Sequence, residues 1–506
     1  MSSPNSVDLS DSSPSPPLQP PPPEASDGAR SAGLILAFLC VAQFMVFLDV
    51  SIVNVALPSI QRSLNFAESD LQYIVTAYGT VLGGFLLLGG RLADTLGRRR
   101  LLQAGLLVFA TTSLIAGVSQ DDTVLIVARG FQGLGSALIA PAALSTLTTV
   151  FREGAERNKA LGIWGSLAGI ASVCGVLFGG LLTEGPGWRW IFFINVPIGL
   201  AAALLAPSVL PESRDESRRG NFDFLGAVVL TSGLLLLIYT INEAVNVGWN
   251  TNRTIGSLAG AGVLLVTFVL VELRAKAPLM PLGIFRRSTL RTANLANLFL
   301  FGSTVTLFFF ASLYMQQVLD YSALETGLAY LPLAIVVSVG AGVASGLVTK
   351  VAAKPVLVTG LVLSATGLLM LSQVPTDADY VKHLLPAFLV VGAGLGSSFV
   401  PLQIAAFVGV KEHESGLAAG LINTSQETGG ALGVAIVSTI AFTRIDDLMA
   451  KAGGNPAALI PAQASGFHQA FFVGACFAVA SLALAVALLP WMGAEQRAEA
   501  APAAAV

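Results

Sequence analysis

Three ionisable side chains stand inside apolar stretches, where a charge is expensive. Asp49 lies in an apolar run centred near residue 44, Arg129 in one near 136 and Glu427 in one near 428. A charge at the middle of a membrane helix costs about 2.5–3.5 kcal/mol on insertion scales, so such residues mark a pairing or a task. Burial works against a charged carboxylate and a nearby guanidinium works for it. Poised between the two, Asp49 is a group that gains a proton from one side of a membrane and releases it to the other. Its alternative is a static pair with Arg129 or an asparagine. Arg129 is a member of that proton-coupling set or an anchor to helix carbonyls. Glu427 meets a cationic substrate or a second proton, or else hydrogen-bonds Asn423 or Gln426.

The elements that must position these groups follow from composition. Of 506 residues, 54% are hydrophobic and 11% charged, against about 25% charged in soluble domains. A span takes about 20 mostly apolar residues. Fourteen candidates centre near residues 44, 80, 109, 136, 171, 200, 232, 264, 303, 337, 363, 392, 428 and 479. The expected fold is therefore an all-α membrane protein with the lipid bilayer as its surroundings. A net charge of -3 offers no footprint for nucleic acid. Cys40, Cys174 and Cys476 sit in apolar runs, and His383, His413 and His468 are far apart, so neither a disulfide framework nor a metal site is expected. No cofactor is expected, and no paired nucleophile and base points to an enzyme. The Pro-rich residues 1–32 and the Ala-rich residues 491–506 are expected to be disordered tails. The former lacks the basic start of a secretory signal.

Charge distribution sets the orientation. Gly89 to Leu102 packs Arg91, Arg98, Arg99 and Arg100 into one short loop between the second and third spans. With both termini inside, 18 of the 27 basic residues fall in cytoplasmic loops and six in external ones. The excess places both termini in the cytoplasm. At about 1.5 Å per residue, Asp49 is roughly 24 Å from the inner edge, Arg129 roughly 9 Å below the outer edge, and Glu427 about 16 Å in. Asp49 and Arg129 thus share the outer half and are placed to meet across a cavity.

Asp94 differs, because it stands at a cytoplasmic helix end beside arginines. There it caps a facing helix N-terminus or pairs with Arg, which makes Gly90, Asp94, Gly97, Arg98 and Arg99 a candidate conformational latch. For a small-molecule substrate the candidate lining is Phe44, Tyr78, Phe131, Gln132, Asn297 and Asn423, since such sites are mostly apolar with a few polar groups. These residue types also fill ordinary helix cores. A monomer is expected.

The chain also repeats faintly. Gly346 to Lys354 keeps the glycine and basic end of Gly90 to Arg98 but not the aspartate. If the last six spans copy the first six, the chain divides into bundles at 33–210 and 289–490. The linker 211–288 then carries two inserted spans. Parallel repeats with substrate held between them are a transporter arrangement.

Four motifs carry a family resemblance. Leu48-Asp49-Val50-Ser51-Ile52-Val53-Asn54-Val55-Ala56-Leu57-Pro58 resembles the first-helix motif of the fourteen-helix drug/proton antiporters of the major facilitator superfamily. Gly90 to Leu102 resembles the superfamily's loop between helices 2 and 3. Arg129-Gly130-Phe131-Gln132-Gly133-Leu134-Gly135-Ser136-Ala137 resembles its helix-4 motif. Gly165 to Gly180 is similar to the antiporter motif of helix 5, except that Gly175-Val176 replaces the usual Gly-Pro and an expected kink is lost. The resemblance covers about residues 33 to 490. It implies two six-helix bundles plus two inserted helices, alternating access, and export of hydrophobic or cationic drugs against protons across a bacterial inner membrane. It further implies proton coupling at Asp49, a polar role for Arg129, and a latch at Asp94. A dedicated exporter of one self-made metabolite fits the same residues. A non-transporting sensor would call for a soluble output domain, and none is legible between the spans.

Overall fold

The computed structural model describes residues 25–64, 73–152, 154–213, 223–275, 278, 280, 282–410, 414–453 and 455–489. Residues 1–24 of the expected N-terminal tail and all of the expected tail 491–506 lie outside these residues. Within them the first helix already begins at Ala25, inside the stretch expected to be a tail.

Among the described residues, fourteen stretches are long and apolar enough to cross a membrane. The first half comprises α1 (Ala25–Leu64), α2 (Tyr73–Leu96), α3 (Arg98–Val118), α4 (Asp122–Val150) and α5 (Ala155–Glu184), then the short α6 (Trp190–Phe193) and α7 (Asn195–Val209), which together make one span. Next come α8 (Phe224–Val247) and α9 (Asn252–Glu272). The second half comprises α10 (Ser288–Leu313), the short α11 (Ala323–Ala329) leading into α12 (Leu331–Lys350), α13 (Ala353–Leu371), α14 (Leu385–Phe407), α15 (Ser415–Lys451) and α16 (Leu459–Leu488). The stretch 444–467 is mostly helix, because α15 continues to Lys451 and α16 starts at Leu459.

The two halves share one packing scheme. α4 lies on α2 and α3 as α14 lies on α12 and α13. α1 lies on α5 as α10 lies on α15, and α3 meets α7 as α13 meets α16. Small residues allow this closeness in lipid, where backbones must approach to gain dispersion contacts. A Cβ on Gly135 of α4 would sit 2.8 Å from the Phe109 backbone nitrogen of α3, and one on Gly360 of α13 would sit 2.9 Å from the Gly394 carbonyl of α14.

The halves join along two seams, α2 with α15 and α5 with α12. Both seams are shut at the end of the bundle that carries the arginine-rich loop. There Gly90 meets the Gly416 and Gly420 backbones, and Ser345 Oγ donates to the Asn158 carbonyl at 2.7 Å.

The inserted pair is not symmetric. α8 packs on α2 and α15, one helix from each half, and the Trp249 indole just beyond α8 donates to Thr439 Oγ1 of α15 at 2.8 Å. α9 packs mainly on α8, and only 17% of its apolar window is buried, against 50% for α8. α9 is thus the outer of the two.

Candidate functional site

α4 begins at Asp121, whose side chain accepts from Val124 N at 2.8 Å and satisfies an otherwise orphaned amide. About two turns further on, Arg129 and Gln132 project from the same helix face toward α1. The Arg129 Nη1 donates to Asp49 Oδ2 at 2.5 Å and its Nε to the Ile74 carbonyl of α2 at 3.1 Å. The two charges therefore meet directly, with no cavity between them, and both side chains are shut away from solvent.

Two amides complete the shell of Asp49. Gln132 Nε2 and Asn195 Nδ2 donate to its Oδ1 at 2.8 and 2.9 Å. Gln132 is itself held, since its Oε1 accepts from Arg129 at 2.6 Å and its Nε2 also reaches Ser113 Oγ of α3 at 2.6 Å. The carboxylate thus gathers donors from α4 and α7 onto α1. A buried ion pair is tolerated only where its remaining valences are met in this way. Tyr78 closes the cluster from α2. Its ring lies 4.3 Å from the Arg129 guanidinium and its hydroxyl shares a 2.7 Å bond with Ser136 Oγ. Phe192 of α6 stands on the other side, 6.0 Å from Arg129.

Asn195, Ser113 and Ser136 are members that sequence reasoning missed. Ser136 lay in the helix-4 motif, but an isolated Ser or Asn at a span end carries no signal until the fold shows what it faces. Asn195 stands where the sixth span breaks between α6 and α7, and its Oδ1 is buried without a partner.

The other expected lining residues do not join this cluster. Phe131 is 56% exposed, on a stripe of α4 with Val124 and Val127, because two residues beyond Arg129 is about half a helical turn away. Phe44 is half-buried against the core of the bundle. Asn297 of α10 donates to the Ile422 carbonyl of α15 at 3.2 Å and so ties two helices of the second half. Asn423 Nδ2 and Gln426 Nε2 are buried with no hydrogen-bond partner, so the alternative in which they hold Glu427 is not realised. Among the described residues Glu427 makes no hydrogen bond or ion pair. Its Cβ lies against Gly83 of α2.

At the arginine-rich end Asp94 makes both contacts open to it. Its Oδ1 and Oδ2 accept from Gly416 N and Leu417 N at 2.9 and 3.0 Å, capping α15, and Arg98 Nη2 donates to Oδ1 at 3.2 Å. Gly97 makes the turn into α3 at φ 109°, a region that disfavours side chains. The arginines are tied to the end of α7. Arg98 Nη1 donates to Ser213 Oγ at 2.6 Å, Arg99 Nη1 to the Leu210 carbonyl at 3.3 Å, and Arg99 and Arg100 both approach Glu212 at 3.5 Å.

A two-bundle membrane fold whose halves share one packing scheme, with a buried charge cluster in one half, is a transporter arrangement. The chain belongs to the Major Facilitator Superfamily, whose family model matches residues 39–434. Similar proteins include the puromycin resistance protein pur8 of Streptomyces alboniger, 38% identical with 94% of each chain covered. The cephamycin export protein CmcT of Amycolatopsis lactamdurans is 37% identical over 91% of this chain and 93% of its own. A tetracenomycin C resistance and export protein of Streptomyces glaucescens is 33% identical over 87% and 82%. Among solved structures, a proton:xylose symporter of the same superfamily aligns with a TM-score of 0.65 at 15% identity, covering 93% of this chain and 99% of the other. That likeness concerns the fold.

Proposed function

We propose that this protein exports hydrophobic or cationic antibiotics in exchange for protons, by alternating access, across the inner membrane of a bacterium. The observation that carries the reading is the buried Asp49–Arg129 pair with its shell of Gln132 and Asn195, in a chain similar along most of its length to antibiotic resistance and export proteins. Asp49 is the proton carrier. When it is protonated, the pull on Arg129 falls and the helices that meet at it are free to rearrange. The arginine-rich end faces the cytoplasm, following the positive-inside rule, and the closed seams there describe a state shut toward the cytoplasm. Asp94 is the latch of that state. Glu427 takes a cationic substrate or a second proton. The drive is adequate, since each charge crossing contributes about 2.3 kcal/mol per 100 mV.

Relatives named for single antibiotics, puromycin, cephamycin and tetracenomycin C, support a second reading, a dedicated exporter of one compound. Inverted vesicles under an imposed proton gradient separate the two. Gradient-dependent ethidium uptake with coupled proton release, both lost in Asp49→Asn, supports broad antiport through Asp49. Full gradient-driven uptake in Asp49→Asn removes Asp49 from the proton path. Absence of ethidium movement with retained puromycin export favours the dedicated exporter.

A further inference from the structure

The seam between α2 and α15 changes character along its length. At Gly90 the two backbones touch, and a Cβ there would collide with the Gly416 carbonyl. At Gly83, two turns further from the arginine-rich end, side chains fill the gap instead. A Cβ on Gly83 would lie 3.6 Å from Glu427 Cβ of α15 and 2.5 Å from Ile238 Cδ1 of α8. Ile238 and Glu427 thus rest on one glycine surface, where α2, α8 and α15 come together. Along α8 and α15 the two residues stand roughly 21 and 18 Å from the helix starts, so they share one depth near the middle of the bilayer.

Of these three helices, α8 is the one that belongs to neither half. Leu235 of α8 is fitted onto Gly84, and Ile238, one turn on, is 3% exposed. Ile238 therefore shares the Gly83 surface with Glu427, whose carboxylate has no hydrogen bond or ion pair among the described residues. An unpaired acid at membrane depth either takes a proton or meets a cation. An apolar cation held in the bilayer reaches this depth without crossing an aqueous vestibule.

We propose that the α2–α15 seam is a lateral portal through which hydrophobic monovalent cations pass from the bilayer to Glu427, with α8 as its cover and Ile238 as the residue that sets the size admitted. The proposal deepens the exporter reading and rests on it for the consequence of binding. Opening needs only a displacement of α8 from Gly83, which leaves the backbone contacts of α2 with α15 at Gly90 in place. It gives the inserted pair a task that neither six-helix bundle performs alone.

The test is binding of radiolabelled tetraphenylphosphonium to the full chain in lipid nanodiscs. Ile238→Ala is expected to speed association at least threefold and Ile238→Phe to slow it by a similar factor, with smaller changes at equilibrium. Glu427→Gln is expected to weaken binding at least tenfold. Val228→Ala, on an exposed face of α8, is expected to change neither. Equal association rates in both Ile238 variants overturn the portal, as does undiminished binding in Glu427→Gln. Because Ile238→Ala only removes atoms, it keeps the test decisive should Ile238→Phe fail to fold. A native chain that binds no tetraphenylphosphonium yet exports tetracenomycin C under a gradient overturns the portal and leaves the exporter reading standing. Binding with the expected pattern but no export of any compound keeps the portal and removes the exporter reading.

Discussion

Asp94 Oδ1, at the end of α2, accepts a 2.9 Å hydrogen bond from Gly416 N at the start of α15, a bond between the two halves of the molecule. The carboxylate faces the positive end of the α15 dipole and also holds Arg98. Charge-assisted bonds of this kind contribute more than neutral ones, and the contact exists only while the halves are closed at this end.

Neutralising Asp94 should therefore favour opening. Asp94→Asn is expected to cost the closed state about 1–2 kcal/mol, a roughly five- to thirtyfold rise in the open population. Labelling of Ser415→Cys, buried at the seam, by an impermeant maleimide applied from the arginine-rich face reads this directly. Unchanged labelling would mean that the glycine contacts alone hold the seam.

Removing Arg129 should do more harm than removing both charges. Arg129→Ala leaves Asp49 ionised and buried, a loss of about 3–5 kcal/mol when a buried pair is broken from one side. The double variant Asp49→Asn with Arg129→Gln removes both charges and should recover most of the thermal stability, though not gradient-driven transport. Melting curves of the detergent-solubilised proteins compare them, and equal melting of the single and double variants would contradict the coupling.

Asn195 should matter to transport beyond its size. Asn195→Leu keeps the volume but removes one donor to Asp49, where a bond to a charged group is worth about 1.5–3 kcal/mol. Proton-driven uptake in vesicles is expected to fall about tenfold or more at unchanged protein level. Asn195→Ser, which keeps a donor, should recover part of it. If both variants transport as the native chain does, Asn195 only fills space.

Much of this molecule was legible because membrane physics is local. An apolar run of sufficient length, a loop crowded with arginines, and a charge stranded inside a span each carry their meaning without knowledge of neighbours. The fourteen spans and the selection of Asp49, Arg129 and Asp94 for attention came from such signals. The family motifs added the expectation of two bundles. Partnership is different, because it depends on helix rotation, and one step along a helix turns a side chain by about 100°. Hence Phe131, two residues from Arg129, stands on the opposite face, while Asn195, 146 residues from Asp49, lies within a hydrogen bond of it. The seating of α8 against one helix of each half, with Ile238 and Glu427 on the same glycine, was likewise decided only by tertiary packing. In an apolar environment every polar group seeks its partner through space, and sequence order holds no record of that search.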